Sequence, residues 1–165
     1  MPTAEELKAA VEQLSQRIGQ EGEPGDWYTV TQEAVNQFAD VTGDHQWIHV
    51  DVERAKTGPY KGTIAHGFFT LSLVLQLGRR PQGAGEGGPG RGLGIQPRMA
   101  VNYGLNRVRF PAPVPVGKRI RATSKLLSVE AVGENCIQQV TQITVHVEGG
   151  DKPGCVAEMV GRMYF

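Results

Sequence analysis

The chain has 165 residues, a formal net charge of zero at pH 7 and 21% charged residues. It suits one domain with a real core, and without a Lys/Arg run it offers nothing to nucleic acid or an anionic membrane. The longest apolar stretch, Phe68 to Leu77, is interrupted by Thr70, Ser72 and Gln76 and is far too short to span a bilayer. The acidic start Thr3-Ala4-Glu5-Glu6 lacks the basic-then-apolar pattern of a signal peptide. Cys136 and Cys155 match no metal-ligand spacing, so free thiols in a cytoplasmic protein are expected.

In chain order, Thr3 and Glu6 form a capping box for a first helix, with Leu7, Val11, Leu14 and Ile18 on one face. Gly19 and the run to Gly25 end it, so residues 1–24 read as a helix and linker. Its narrow apolar face must rest on the main body or on a partner subunit. Trp27 to Val30 is a short strand. Thr31 caps a second helix that reaches about Val41, and Asp51 caps a short one from Val52 to Lys56. From Gly67 to Leu77 nearly every position is apolar or small, which predicts a core helix.

Residues 79–98 are rich in Gly, Pro and charge, a composition that predicts a flexible surface loop; its glycines lack the spacing of a nucleotide-binding loop. Beyond Met99 the pattern is β. Segments Ala100–Phe110, Lys118–Val129, Asn135–Glu148 and Cys155–Phe165 are extended, with glycine-rich reversals between the last three. The expected architecture is α+β: an antiparallel meander wrapped around one long central helix.

The segment Thr42-Gly43-Asp44-His45-Gln46-Trp47-Ile48-His49 carries the densest chemistry. On a continuous helix, Asp44 and His49 would point about 140° apart. Gly43 lets the chain leave the helix, and a loop can then aim both side chains at one water for acid–base work. The alternative is a turn aspartate beside a surface or core histidine. His45 and His49 have the spacing of a helical metal pair, but no Glu follows the first His and Gly43 interrupts the helix, so no metal is expected. Ala65-His66-Gly67 stands where the core helix begins. The free N–H of Gly67, at the positive end of the helix dipole, could bind a developing oxyanion, or Gly67 could serve only close packing. His66 reads as a structural or pocket residue. Asn102, Tyr103 and Asn106 could line a pocket, or could satisfy buried backbone groups.

These residues resemble the MaoC-like dehydratase family. The motif of Gly-Asp, an apolar residue, His and then Ala is Gly43-Asp44, Ile48-His49 and Ala55; Ala65-His66-Gly67 and the segment Val108-Arg109-Phe110, Pro113-Val114 and Gly117 follow in family order. The likeness covers about residues 25–165. Gln46-Trp47 replaces the common Asn-Pro, a form similar to the nodulation-protein-N-like subgroup, and Lys118 stands where an acidic residue is usual.

The resemblance implies a hot-dog domain over 25–165 and (R)-specific hydration of trans-2-enoyl thioesters. Asp44 and His49 would activate water and Gly67 would bind the thioester oxygen, while Gln46, His66, Asn102, Tyr103 and Asn106 would contact substrate. It implies no cofactor, a homodimer, and an enoyl-CoA or enoyl-acyl-carrier-protein substrate. A hot-dog thioesterase and a non-catalytic acyl-binding subunit are the alternatives.

Overall fold

The computed structural model describes residues 2–78 and 92–165. Helix α1 (Ala4–Ser15) begins as the capping box requires: Thr3 accepts from the Glu6 N–H at 3.2 Å and Glu6 accepts from the Thr3 N–H at 2.7 Å. Strand β1 (Tyr28–Thr29) leads to α2 (Gln32–Thr42), capped by the Thr31 hydroxyl. Two short helices follow, α3 (Trp47–Val50) and α4 (Val52–Lys56), the latter capped by Asp51, which accepts from the Arg54 N–H at 3.0 Å.

The central helix is α5 (Gly67–Ser72) followed by α6 (Val74–Leu77), joined at Leu73. Four long strands complete the chain: β2 (Met99–Arg109), β3 (Arg119–Ala131), β4 (Cys136–Val147) and β5 (Cys155–Tyr164). They form a five-stranded antiparallel sheet with β1, in the order β1-β3-β4-β5-β2. Alternate residues of the inner face, Ile120, Ala122, Ile143, Val145, Cys155 and Ala157, pack on Phe69, Val74 and Leu77 of the central helix. Full burial of a side chain such as Ile120 or Val145 stabilises the fold by roughly 1.5–3 kcal/mol.

The meander expectation holds for β3, β4 and β5 but not for β2, which lies beyond β5 at the far edge. The proline-rich link explains this. Instead of turning as a hairpin it runs back against residues 63–65: Ala65 N–H donates to Val114 O at 2.8 Å and Val116 N–H to Thr63 O at 2.9 Å. The chain crosses the start of α5 on its way from edge strand β2 to β3, the second strand from the opposite edge.

The expected all-round core helix needs correction as well. Phe69, Thr70, Val74 and Leu77 are buried, but Phe68 is 68% exposed and Leu75 46%. Only one side of α5–α6 lies on the sheet of its own chain.

The face of α1 rests on the main body, where Leu7, Ala10 and Leu14 pack on Ile137, Met163 and Phe165. Leu93 joins this second cluster, and Gln13 donates to Gly92 O at 2.8 Å. The stretch from 92 onward therefore contributes to a core, against the expectation of a surface loop throughout 79–98; the remainder of that expectation, at 79–91, lies outside the described residues. Both cysteines are free and buried, and burial pushes the Cys155 thiol up to about 11. Among the described residues no helix is long and apolar enough to cross a membrane.

Candidate active site

Helix α2 ends because Gly43 adopts a left-handed conformation, φ 77°, which costs a glycine nothing. Its N–H bonds to Ala39 O at 2.8 Å, and the chain leaves the helix axis there. Residues Asp44 to Gln46 cross in irregular conformation before α3 starts a new axis. That break removes the angular separation a continuous helix would impose on Asp44 and His49.

His49 is 7% exposed. Its Nδ1 lies 2.7 Å from Ile64 O, and since a carbonyl only accepts, Nδ1 carries the hydrogen and Nε2 the lone pair. The His49 main-chain carbonyl accepts from Gln32 Nε2 at 2.7 Å, and the Thr63 hydroxyl donates to Gln32 Oε1 at 2.5 Å. Ile64 N–H donates to Ile48 O at 3.0 Å. The imidazole is thereby fixed by α2, α3 and the extended segment before α5. Burial, first, pulls the His49 pKa below 6.5, and neighbouring His66 adds to that; the bond to Ile64 O and the Asp44 carboxylate act the other way.

His66 is 3% exposed at the N-cap of α5. Its Nε2 donates to the main-chain carbonyl of Asp44 at 2.9 Å, and its ring stacks on that of His49, centroids 3.8 Å apart and planes 26° apart. Phe38 closes on it from α2 at 5.1 Å. Asp44 itself is exposed, with Oδ1 3.4 Å from the Gln46 N–H.

One donor atom from each of Asp44, His49 and His66 falls within 4.8 Å of the others. Such a set could suggest a metal, but an ion bound through both ring lone pairs must lie in both ring planes. Planes only 26° apart on stacked rings meet well beyond the ~2.0–2.1 Å of a metal–imidazole bond. The arrangement suits a water held between a carboxylate and an imidazole nitrogen.

Gly67 follows His66 directly. As the first residue of α5 its N–H has no partner within the helix. A side chain is sterically excluded here: a Cβ would lie 2.8 Å from the Phe110 ring. Phe110 comes from the link after β2, so the crossing of that link over α5 shapes this corner.

The expected site residues therefore separate into two groups. Asp44, His49, His66 and Gly67 come together. Gln46 contributes at the N-cap of α3 through its main chain, accepting from the His49 N–H at 2.9 Å. Trp47, the departure from Asn-Pro, packs where a Cβ on Gly58 would be 2.9 Å away and carries the Arg54 guanidinium 4.5 Å above its ring.

Asn102, Tyr103 and Asn106 are not part of this junction. Asn102 lines an apolar groove of about 260 Å³ with Leu71, Ser72, Leu75, Leu105 and Met159. Tyr103 lies at a break in the β2–β5 register with the Arg162 guanidinium 3.4 Å from its ring centre, and Asn106 is exposed at a second break. Sequence reasoning missed Gln32, Thr63 and Ile64, which fix His49. Two of those contacts run through main-chain carbonyls, which leave no mark on residue identity.

A family model described as "MaoC like domain" matches residues 13–148. The chain belongs to the MaoC-like domain family. This MaoC-like domain is 51% identical over 162 residues to 3-hydroxyacyl-thioester dehydratase Z of Mycobacterium tuberculosis, covering 98% of each chain. It is 38% identical over 150 residues to Nodulation protein N of Rhizobium leguminosarum bv. viciae, covering 90% of this chain and 88% of the other. Among solved structures it resembles the (R)-hydratase from A. caviae involved in PHA biosynthesis, with a TM-score of 0.61 and 22% identity over 87% of this chain and 94% of that one. That likeness shows the fold: the curled sheet around α5–α6 is a hot-dog.

Proposed function

We propose that this MaoC-like domain is a hydro-lyase that reversibly adds water to trans-2-enoyl thioesters, giving (R)-3-hydroxyacyl thioesters in lipid metabolism. The observation that carries the reading is the convergence of an exposed carboxylate and a buried, lone-pair-bearing imidazole nitrogen beside a helix start closed to side chains. The dehydratase from M. tuberculosis, at 51% identity over nearly the whole chain, supports the thioester substrate class.

Asp44 and His49 orient one water. Its oxygen bonds to C3 while Nε2 of His49 takes a proton, and the C2=C3 electron pair shifts toward the thioester oxygen. Gly67 N–H meets the charge that develops there, aided by the helix dipole. The enolate then collapses, C2 receives a proton on the same face, and His49 returns to its neutral form. General acid–base assistance is typically worth ~10²–10⁴-fold. An oxyanion donor contributes about 10²–10³-fold, so the reaction draws on both.

The same reading places the acyl tail in the groove that Asn102 and Leu105 line. It pairs two copies through the apolar strip of Phe68, Leu75, Tyr103, Leu105 and Phe110, each at least 38% exposed. Strand β2, last in the sheet order, presents an open edge beside that strip.

The test is to supply matched enoyl-CoA and enoyl-acyl-carrier-protein substrates and resolve the product. Formation of the (R)-3-hydroxyacyl thioester without thiol release is expected. Thiol release from saturated acyl-CoA would make the protein a thioesterase, and binding without turnover would make it an acyl-binding subunit.

A further inference from the structure

We infer that His66 is a positioning residue for the hydro-lyase reaction, clasping the Asp44 main chain to the start of α5 so that the carboxylate, the His49 ring and the Gly67 N–H keep one geometry. The inference rests on the functional reading above and adds a role for a group that the reaction itself does not need.

Two side-chain contacts and one main-chain bond meet at this residue. Its Nε2 donates to Asp44 O at 2.9 Å, its face lies on His49 at 3.8 Å, and its own carbonyl carbon is bonded to the Gly67 nitrogen. Asp44 needs such a tie. It follows a left-handed glycine in an irregular, exposed loop, and among the described residues its carboxylate has one hydrogen bond, from the Gln46 N–H at 3.4 Å. The imidazole, by contrast, is 3% exposed and wedged against Phe38, which packs edge-on against Phe69 at 5.5 Å. The core thus reaches through this side chain to the main chain of the Asp44 loop.

The hydrogen bond fixes the tautomer, since donation from Nε2 leaves Nδ1 unprotonated. That Nδ1 is buried and has no hydrogen-bond partner among the described residues, so a hydrogen placed there would find no acceptor among them. His66 therefore acts through its Nε2–H donor. Among the described residues, the titratable groups that act on the His49 ring are Asp44 from the loop after α2 and His66 from the start of α5.

Two variants separate clasp from filler. His66→Phe keeps a ring against His49 but loses the donor; His66→Gln places an amide donor near the Nε2 position. With an enoyl thioester, His66→Phe should lower kcat by about 10–100-fold, the scale of a misplaced reacting group, while KM changes less. His66→Gln should recover most of that loss. In nitrogen-15 imidazole spectra, His66 of the unaltered protein should be the Nε2–H tautomer with a slowly exchanging hydrogen.

Wild-type kcat in His66→Phe, equal losses in both variants, or the Nδ1–H tautomer would each overturn the clasp. If the unaltered protein turns over no enoyl thioester, the hydro-lyase reading fails, and the tautomer and exchange measurement still decides what His66 does.

Discussion

His49 is 7% exposed and fixed at both its ring and its main chain, whereas Tyr103 and Leu105 on β2 are 59% and 44% exposed at the rim of an open groove. Both regions flank the central helix, and they are built by different means. Around His49, backbone carbonyls of Asp44 and Ile64 accept from imidazoles, so geometry is set by main-chain atoms that cannot rotate away. Along β2, the register breaks twice and apolar side chains stand in solvent. A single chain thus assembles the Asp44, His49 and Gly67 junction by itself, while the proposed function would leave the groove and strip beside it for a substrate tail and a second subunit to cover.

The largest effect that would break this contrast comes at Gly67. Gly67→Ala should reduce kcat/KM by about 10²–10³-fold through displacement of the oxyanion donor. Forcing a methyl against the Phe110 ring should also destabilise the fold by roughly 1–3 kcal/mol, read by urea unfolding. Adding Phe110→Ala should restore stability. A single variant of normal stability and normal rate would show that this corner is neither tight nor reactive.

On the other side of the comparison, Leu105→Asp should shift the protein from dimer to monomer in light scattering without unfolding it, because Leu105 is exposed in its own chain. A mass unchanged from wild type would remove β2 from the interface.

The smallest effect is one of pH. The lowered pKa of His49 means that the folded state resists a proton that the unfolded chain accepts. Between the folded value and about 6.5 the unfolded state binds more protons, so stability falls as pH drops through that window and is fully present above it. If Nε2 is the base, the acid limb of kcat/KM should also lie below pH 6.5. His45, raised chiefly by its bond to Asp40, works in the opposite sense but is exposed and far less consequential. His49→Gln should flatten the stability slope; an unchanged slope would assign the effect to other groups.

Much of the junction's backbone was legible in the sequence because it is written in residue types. Thr31 and Asp51 cap the helices they announce, and Gly43 breaks the chain where Asp44 must turn. The other side was less legible. An apolar stretch such as Phe68 to Leu77 says that a helix is to be covered, not by which molecule. Three extended segments joined by turns suggest a meander, and nothing local reveals that β2 crosses to the far edge. The support of His49 by Ile64 O and of Asp44 by His66 depends on main-chain oxygens, which leave no mark on residue identity.

The most direct test follows the absorbance of a conjugated enoyl thioester, crotonyl-CoA beside a medium-chain enoyl-CoA, with the unaltered protein, Asp44→Asn and His49→Ala. Asp44 is exposed and the Asn change is isosteric, so a loss of rate there reports chemistry rather than unfolding. The account predicts rapid loss of absorbance without thiol release, slowed at least ~10²-fold by either substitution. Hydration that persists in both variants would contradict the assignment of the chemistry to this pair.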